Sequence, residues 1–562
     1  MTRRAAAMGC AAAGSGIARG GVEVTASKSG LSGTLCYDPC GFCGIQPARP
    51  RSRQVDRRST MDWWHRNRVG AIGAILALFL LLATWTAVTK SPWCDEGWFA
   101  SPGWNLAFRG FMGTTVLDPA SGTPHLNTRT RLDGIDRYTY WVMPLNLVIQ
   151  AGWYKLAGFS LLRMRALSII WAVLALAGWT IVFQEITGSR DTALLGVALV
   201  STDYYFIWAA ADGRMDMLCS LLGVASLAAY LRLRQRSLGW ALFAANGLLA
   251  ASALAHPNGN LYLVVLTCLV VLYDRRRLEW RYLIAAGIPY LLAAAAWAPY
   301  VMKAPEFFRI QLLGNAAGRQ RAFAEPIVSL GREIDRYRFA FGFAPWSHGF
   351  AHVSILELAG FLAGIGACAF YRPLRRNPGS RTTIAVIAAL CLFMWLFEGL
   401  KSSNYLLHVI PWFSLALAIA AADYWLERRG PRLAPAAVVG AVLFLAVVRI
   451  AAPALKDNYH RQYLPAARYL AQNTSPADLI MGPAELGFHL GFDRNILDDY
   501  LEGTTTGKSA AFIVLDARHS DYLQAIRITD VPAYDRVTRL LAARYDKVYD
   551  QASYQIYRKR AE

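Results

Sequence analysis

Eleven stretches of this chain carry no Lys or Arg and are apolar enough to cross a bilayer, which needs about 17–25 residues as a helix. They are 69–89, 166–184, 192–211, 217–231, 238–255, 259–273, 282–301, 352–371, 382–397, 403–422 and 433–448. Two of them hold an acid, Asp203 and Glu357. Such a pattern excludes a soluble enzyme, and the composition agrees: only 17% of the 562 residues are charged and mean hydropathy is +0.28. The net charge of +20 could suggest nucleic acid. Its arginines instead sit in short clusters between the apolar stretches, so no nucleic-acid partner is expected. The expected fold is a polytopic α-helical membrane protein embedded in a lipid bilayer, with about eleven spans.

Those clusters also set direction, because short basic loops stay in the cytoplasm. The loops 232–236, 275–281, 372–381 and 428–432 hold 14 arginines; the alternate loops 210–216, 256–258 and 398–402 hold only Arg214 and Lys401. One uncharged stretch, 138–154, would be a twelfth span, but it would turn the arginine loops outward. Its Trp141, Trp153 and Tyr154 suit the membrane interface instead. The expected layout is a multi-pass protein of the bacterial inner membrane with a cytoplasmic N-terminus, outer loops 90–165 and 302–351, and a periplasmic tail. Residues 61–452 form the membrane domain. Residues 453–562 turn polar and read as a small α/β domain, with a buried strand at 511–516, a helix at 532–544 and strands within 547–558. Residues 1–60 read as a disordered leader or an over-extended start, with Met61 as an ordinary beginning. Cys36, Cys40 and Cys43 lie close together there, but no His or second pair completes a zinc site.

Ionisable groups near membrane depth carry a functional presumption, and this topology gathers them on the outer face. Asp95 and Glu96 follow the first span, Asp203 lies in the outer half of the third, and Asp212, Arg214 and Asp216 form the next outer turn. His256 tops the fifth span, and Lys401 and Tyr405 top the tenth. Arg163 and Arg165 precede the second. Each has an ordinary alternative. Asp216 suits a helix N-terminus, Asp203 a bond to Thr202, and His256 the turn Pro257-Asn258-Gly259. The cations suit snorkelling at helix ends. No GxxxxGK[ST], HExxH or Ser/His/Asp order is present. Acids beside cations on the outer face fit attack by a hydroxyl on a sugar carried by a lipid phosphate. A carboxylate takes the acceptor proton, and cations stabilise the departing phosphate. Asp95, Glu96 and Asp216 are also the acids that would hold a divalent cation, the one cofactor left open.

At these residues the sequence resembles the GT-C class of membrane glycosyltransferases. Within that class it resembles the bacterial family 39-like branch related to dolichyl-phosphate-mannose protein mannosyltransferases and lipid A aminoarabinose transferases. The likeness rests on Asp95-Glu96, Arg163-Met-Arg-Ala-Leu-Ser168, Asp212-Gly-Arg-Met-Asp-Met217, the stretch from Asn246 to Gly259, Lys401-Ser-Ser-Asn-Tyr405 and Pro411, over roughly residues 65–425. It implies that Asp95 is the catalytic or acceptor-binding acid, with Glu96 its companion and Asp216 the second-loop acid. It places Arg214, Lys401 and Tyr405 at the donor phosphate, and implies a polyprenyl-phosphate sugar donor with inversion at the anomeric carbon. The acceptor is a lipid, glycan or protein. Two departures stand out. Asp136–Pro144 keeps one proline where relatives carry a Lys/His-Pro-Pro segment, and Asp203 stands where relatives often have proline. The competing readings are an oligosaccharide ligase or polymerase using Arg309, Arg319, Arg321, Arg332, Arg336 and Arg338, and a lipid or sugar transporter.

Overall fold

Within hydrocarbon a chain must satisfy its own backbone hydrogen bonds, so long apolar stretches become helices. The computed structural model describes residues 56–120, 131–314, 321–342, 354–427 and 433–561. The cysteines at 10, 36, 40 and 43 and the loop 428–432 lie outside these residues, as do parts of both long loops. From Arg66 onward the chain forms one compact unit, which holds every apolar stretch together with the tail.

All eleven apolar stretches are mostly helical over their described residues. The first part of the chain contains α1 (Asp56–Thr89), α2 (Cys94–Arg109), α3 (Pro144–Ala157), α4 (Leu161–Thr187), α5 (Arg190–Thr202) and α6 (Tyr204–Ala210). Next come α7 (Asp216–Leu233), α8 (Leu238–Ala255), α9 (Gly259–Asp274) and α10 (Trp280–Val301), and then the helices Pro326–Ala340, Ser354–Phe370, Pro378–Leu396, Ile410–Glu427 and Leu433–Lys456. Among the described residues, seven helices are long and apolar enough to cross a membrane, or eight with the bent pair α5–α6. Among the others, α9 has 16 residues and Ser354–Phe370 has 17, while the helix from Ile410 is apolar only as far as Tyr424. The tenth stretch departs from a plain span. Its first residues form a tight turn, Ser403–His408, and the helix begins only at Ile410, before Pro411.

Helix ends obey local chemistry. Ser160, Ser189 and Ser237 each cap the helix that comes after them by accepting a backbone N–H. Asp203 does the same for Phe206 at 2.9 Å, and its extended backbone is where α5 and α6 bend by 63°. The stretch 138–154 forms α3, only 14 residues long. At 1.5 Å per residue that is about 21 Å, too short to cross about 30 Å of hydrocarbon. Trp179 and Trp412 pack edge to face inside the bundle. At Gly364 an added Cβ would lie 2.5 Å from the Leu417 Cα, so that crossing needs glycine. By contrast, α10 turns Leu283, Leu291 and Leu292 outward and buries only Pro289, the burial of a lipid-facing helix. Two arginines of the basic loops, Arg234 and Arg277, bind the buried Asp274 at 2.6 and 2.9 Å.

The tail adds a mixed sheet of order β2-β1-β3-β5-β4. Its strands are β1 (Ile480–Met481), β2 (Ile496–Leu497), β3 (Phe512–Leu515), β4 (Tyr545–Gln551) and β5 (Tyr554–Lys559). β1 runs parallel to β2 and β3, whereas β5 is antiparallel to β3 and β4. The helix Val531–Arg544 matches the expected one. One face of the sheet closes a core within the tail, where Ile513 and Leu515 pack with Leu523, Ile526 and Val537; the other face does not. Trp98, Met112, Leu132 and Tyr154 from the first long loop share one apolar cluster with Tyr463, Phe492, Val514 and Ile556.

Candidate active site

Asp95 and Glu96 fall in the first turn of α2 and Asp216 is the first residue of α7, positions where the helix dipole favours acids. The two helix starts are brought together by arginine. Arg214 pairs with Asp95 through Nη1 and donates from Nε to Asp216 Oδ2 at 2.8 Å. Its guanidinium lies 5.3 Å from the Trp93 ring centre and 5.5 Å from that of Phe99. The side chain of Asp95 remains 20% exposed, whereas that of Asp216 is only 5% exposed. Asp216 Oδ1 is buried with no hydrogen-bond partner among the described residues, and a buried acceptor left that way calls for an explanation.

Behind this lies a second, closed layer. Glu96 is fully buried and forms a two-pronged pair with Arg165 at 2.8 and 2.7 Å. Gly213 N–H donates to the same carboxylate at 3.2 Å. Arg165 also donates to the carbonyls of Ala87 and Lys90 at 2.6 and 2.8 Å. Asp212 accepts from Trp93 Nε1 at 3.0 Å and pairs with Lys90 at 3.3 Å. Burial pushes the Glu96 carboxyl up, but Arg165 and Lys90 outweigh it and hold the group at about 2. Burial dominates at Asp212, raised to about 6 against the pull of Lys90. A carboxylate as depressed and saturated as Glu96 is a poor proton acceptor; it locks the end of α1, the start of α2 and the 211–215 turn together.

The remaining sequence candidates divide. Tyr405 joins this site: it lies within electrostatic reach of Arg214, and its ring centre is 5.7 Å from that of His256. His256 accepts from Asn258 N–H at 3.1 Å, as a turn residue does, and also lies within electrostatic reach of Asp216. Asp203 belongs to a different cluster, formed with Arg449 and Glu357, in which Arg449 and Glu357 pair at 3.2 Å. Arg163 is exposed, its carbonyl accepting from Trp153 Nε1 at 2.8 Å. Lys401 has its contacts elsewhere. With a backbone φ of +52°, it donates to the Trp395 carbonyl at 2.9 Å and lies 3.3 Å from Glu333. It lines a cavity of about 430 Å³ with Arg332, Arg336 and Ser403.

The donor set does not fit a resident cation. Arg214 occupies Asp95 and one oxygen of Asp216, Arg165 occupies Glu96, and no group of three potential ligands forms among the described residues.

Sequence reasoning missed several partners. Lys90 follows directly on the first helix, and Arg449 falls one residue past the expected last span. Arg518, from the tail, leaves no local signal. Its guanidinium lies 5.4 Å from the Trp93 ring centre, and it pairs with the buried Glu485 at 3.5 Å. Nearby, Trp98 Nε1 donates to Asp498 at 2.8 Å. Gly97 is pressed against the tail so closely that an added Cβ would sit 2.5 Å from the Ala484 carbonyl carbon.

No protein-family model and no curated protein matches this sequence. Solved structures do match. ArnT, the lipid A aminoarabinose transferase, from Cupriavidus metallidurans bound to undecaprenyl phosphate matches with a TM-score of 0.54 and 14% identity, over 87% of this chain and 98% of that one. Its apo state gives 0.52 and 15% over the same shares. The Archaeoglobus fulgidus oligosaccharyltransferase gives 0.51 and 12%, over 82% of this chain and 72% of that one.

Proposed function

Since this chain has the GT-C fold of membrane glycosyltransferases, we propose that it moves a sugar from a polyprenyl-phosphate donor to an acceptor hydroxyl at the outer face of the inner membrane, with inversion. The arrangement carrying this reading is Asp95 and Asp216 held on one guanidinium, with Asp95 reachable from solvent and Asp216 Oδ1 unpaired. The ArnT structure of like fold holds undecaprenyl phosphate, which supports the donor class.

The step is a single displacement. The acceptor oxygen attacks the anomeric carbon while the bond from that carbon to the phosphate oxygen breaks, and the acceptor proton passes to Asp95 as general base. Asp216 Oδ1 accepts a sugar or acceptor hydroxyl, which fixes the attack angle. Arg214 holds both carboxylates in place. Negative charge grows on the leaving phosphate, and Lys401, Arg336 and Arg332 around the smaller cavity are the cations able to meet it, with Tyr405 between that cavity's segment and Arg214. Glu96, Arg165, Lys90 and Asp212 act as positioning residues behind the acid pair.

The direct test incubates purified protein with labelled polyprenyl-phosphate sugars and measures free lipid phosphate. Release is the expected result; none from any donor sugar, in the presence of membrane extract as acceptor, overturns the reading. Orientation is tested separately: reporter fusions after Arg234, Arg276 and Arg375 should read as cytoplasmic and one after Asp516 as periplasmic.

A further inference from the structure

An apolar cleft separate from the acid pair is built rather than accidental. It measures about 820 Å³ and runs between the C-terminal end of α2, the start of α3 and the outer parts of α8 and α10. Its walls are Leu106, Leu145, Val148, Leu254 and Trp297. Gln311 fastens its roof. Gln311 Oε1 accepts from the N–H groups of Tyr140 and Trp141 at 2.8 and 3.2 Å, and Nε2 donates to the carbonyls of Asp133 and Tyr138 at 2.9 and 3.0 Å. Tyr300 adds a bond to the Met112 carbonyl at 3.0 Å. These bonds fix the shape of the cleft.

Two properties identify what it suits. One wall is α10, which leaves Leu291 and Leu292 exposed within two turns of the lining residues Ala296 and Trp297, so the cleft adjoins a lipid-facing surface. Its rim carries Arg137 and Lys303, exposed and without an ion-pair partner among the described residues, against the single acid Asp136. An apolar trough ending at a net positive rim fits a hydrocarbon chain followed by an anionic head. Leu145, on the inner wall, packs on Leu218, Cys219 and Ala255, next to Asp216 and His256. An occupant therefore lies level with the acid pair.

We infer that this cleft holds the hydrocarbon chain of the acceptor, and that the acceptor is a membrane amphiphile whose phosphate rests against Arg137 and Lys303. The inference rests on the sugar-transfer reading, which assigns the donor phosphate to the other cavity, around Lys401. A water-soluble acceptor has no use for the leucine-lined trough.

The test uses the full chain in phosphatidylcholine vesicles with trace phosphatidic acid bearing a photoactivatable acyl chain. Label should map to the peptides holding Leu145, Val148, Leu254 and Trp297. The double variant Arg137→Gln/Lys303→Gln, at exposed positions that leave the fold intact, should lower labelling about tenfold, as losing two phosphate contacts of moderate strength predicts. Val148→Trp, which fills the trough, should abolish it. Equal labelling by the matching photoactivatable diacylglycerol, or labelling unchanged in the double variant, overturns the anionic head. Displacement of the label by equimolar undecaprenyl phosphate hands the cleft to the donor and overturns the acceptor assignment. Labelling needs no turnover. Intact labelling in a protein that releases no lipid phosphate therefore overturns the sugar-transfer reading, and with it the acceptor role, while the lipid cleft stands.

Discussion

Replacing Glu96 by Gln separates the two layers of the site. In the wild type, Arg165 is fully buried and neutralised by Glu96 through two short bonds. A glutamine keeps one acceptor for Arg165 or Gly213 but turns an amide N–H₂ toward the guanidinium. Breaking one partner of a buried pair costs about 3–5 kcal/mol; the carbonyls of Ala87 and Lys90 still accept from Arg165, so we expect about 3. Unfolding entropy of about 2.1 cal/mol/K per residue over roughly 500 residues gives about 1 kcal/mol/K, so Tm should fall by about 3 °C. The assay is thermal unfolding in detergent followed by a thiol-reactive dye, since Cys94, Cys219 and Cys368 are buried until the fold opens. The double variant Glu96→Gln/Arg165→Met should recover at least half the loss, because it removes the stranded charge. Glu96 is held at about 2, below the ordinary Glu value. Its contribution is therefore complete above about pH 4.3 and lost as pH falls through about 2, so the Tm difference should be equal at pH 6 and 8. A Glu96→Gln protein that melts like wild type yet fails to turn over would refute the positioning role and place Glu96 on the substrate.

Other outcomes stem from the same geometry. Asp95→Asn should lower sugar transfer by at least about 10²-fold with little change in Tm, since Asp95 is partly exposed; Asp216→Asn should lose comparable turnover, and normal turnover by both would remove them from the chemistry. Lys401→Ala should reduce kcat about 10²–10³-fold with a modest change in donor KM, and Lys401→Arg should rescue only partly; unchanged kcat assigns the phosphate to Arg332 and Arg336 alone. In the tail, burial opposes charge on His519, but Asp516 at 2.7 Å raises it to about 9, while Asp516 is itself held at about 2. The histidine's contribution is present below about pH 6.5 and lost as pH rises through about 9; the aspartate's is present above about pH 3.9 and lost as pH falls through about 2. Hydrogen exchange across Ala517–Thr529 should accordingly be slow at pH 6 and faster at pH 9.5, and equal protection at both would exclude the pair.

What the sequence disclosed was whatever depends on runs and counts. Apolar length marked eleven stretches that are mostly helical, of which seven or eight are long and apolar enough to span among the described residues, and the tail's β3 and its helix Val531–Arg544 showed through their own patterns. The two-residue strands β1 and β2 are too short to carry an alternation, and only the sheet around them defines them. At the site, Asp95, Arg214 and Asp216 were legible because two short motifs each carry their acids. Their division of labour was not. Glu96 differs from Asp95 only in the burial and the arginine that tertiary packing supplies, and Lys401 parts from Arg214 because the Ser403–His408 turn replaces the expected start of a span. Arg518, more than 300 residues downstream of the acids, reaches Trp93 only through the fold.

That distance has a consequence in time. Trp98 bonds to Asp498 across 400 residues of chain, and Gly97 is seated on Ala484. A ribosome adds about 5–20 residues per second, so roughly 20–80 seconds separate the making of α2 from the making of what braces it. Throughout that interval the helix bearing Asp95 lacks its backing, and Trp93 lacks one of its two arginines. On the proposed function the molecule is therefore silent while it is being born, and a chain cut short before Ala484 stays so. Such a prematurely ended product would insert its helices and yet have no competent centre with which to consume lipid-borne sugar.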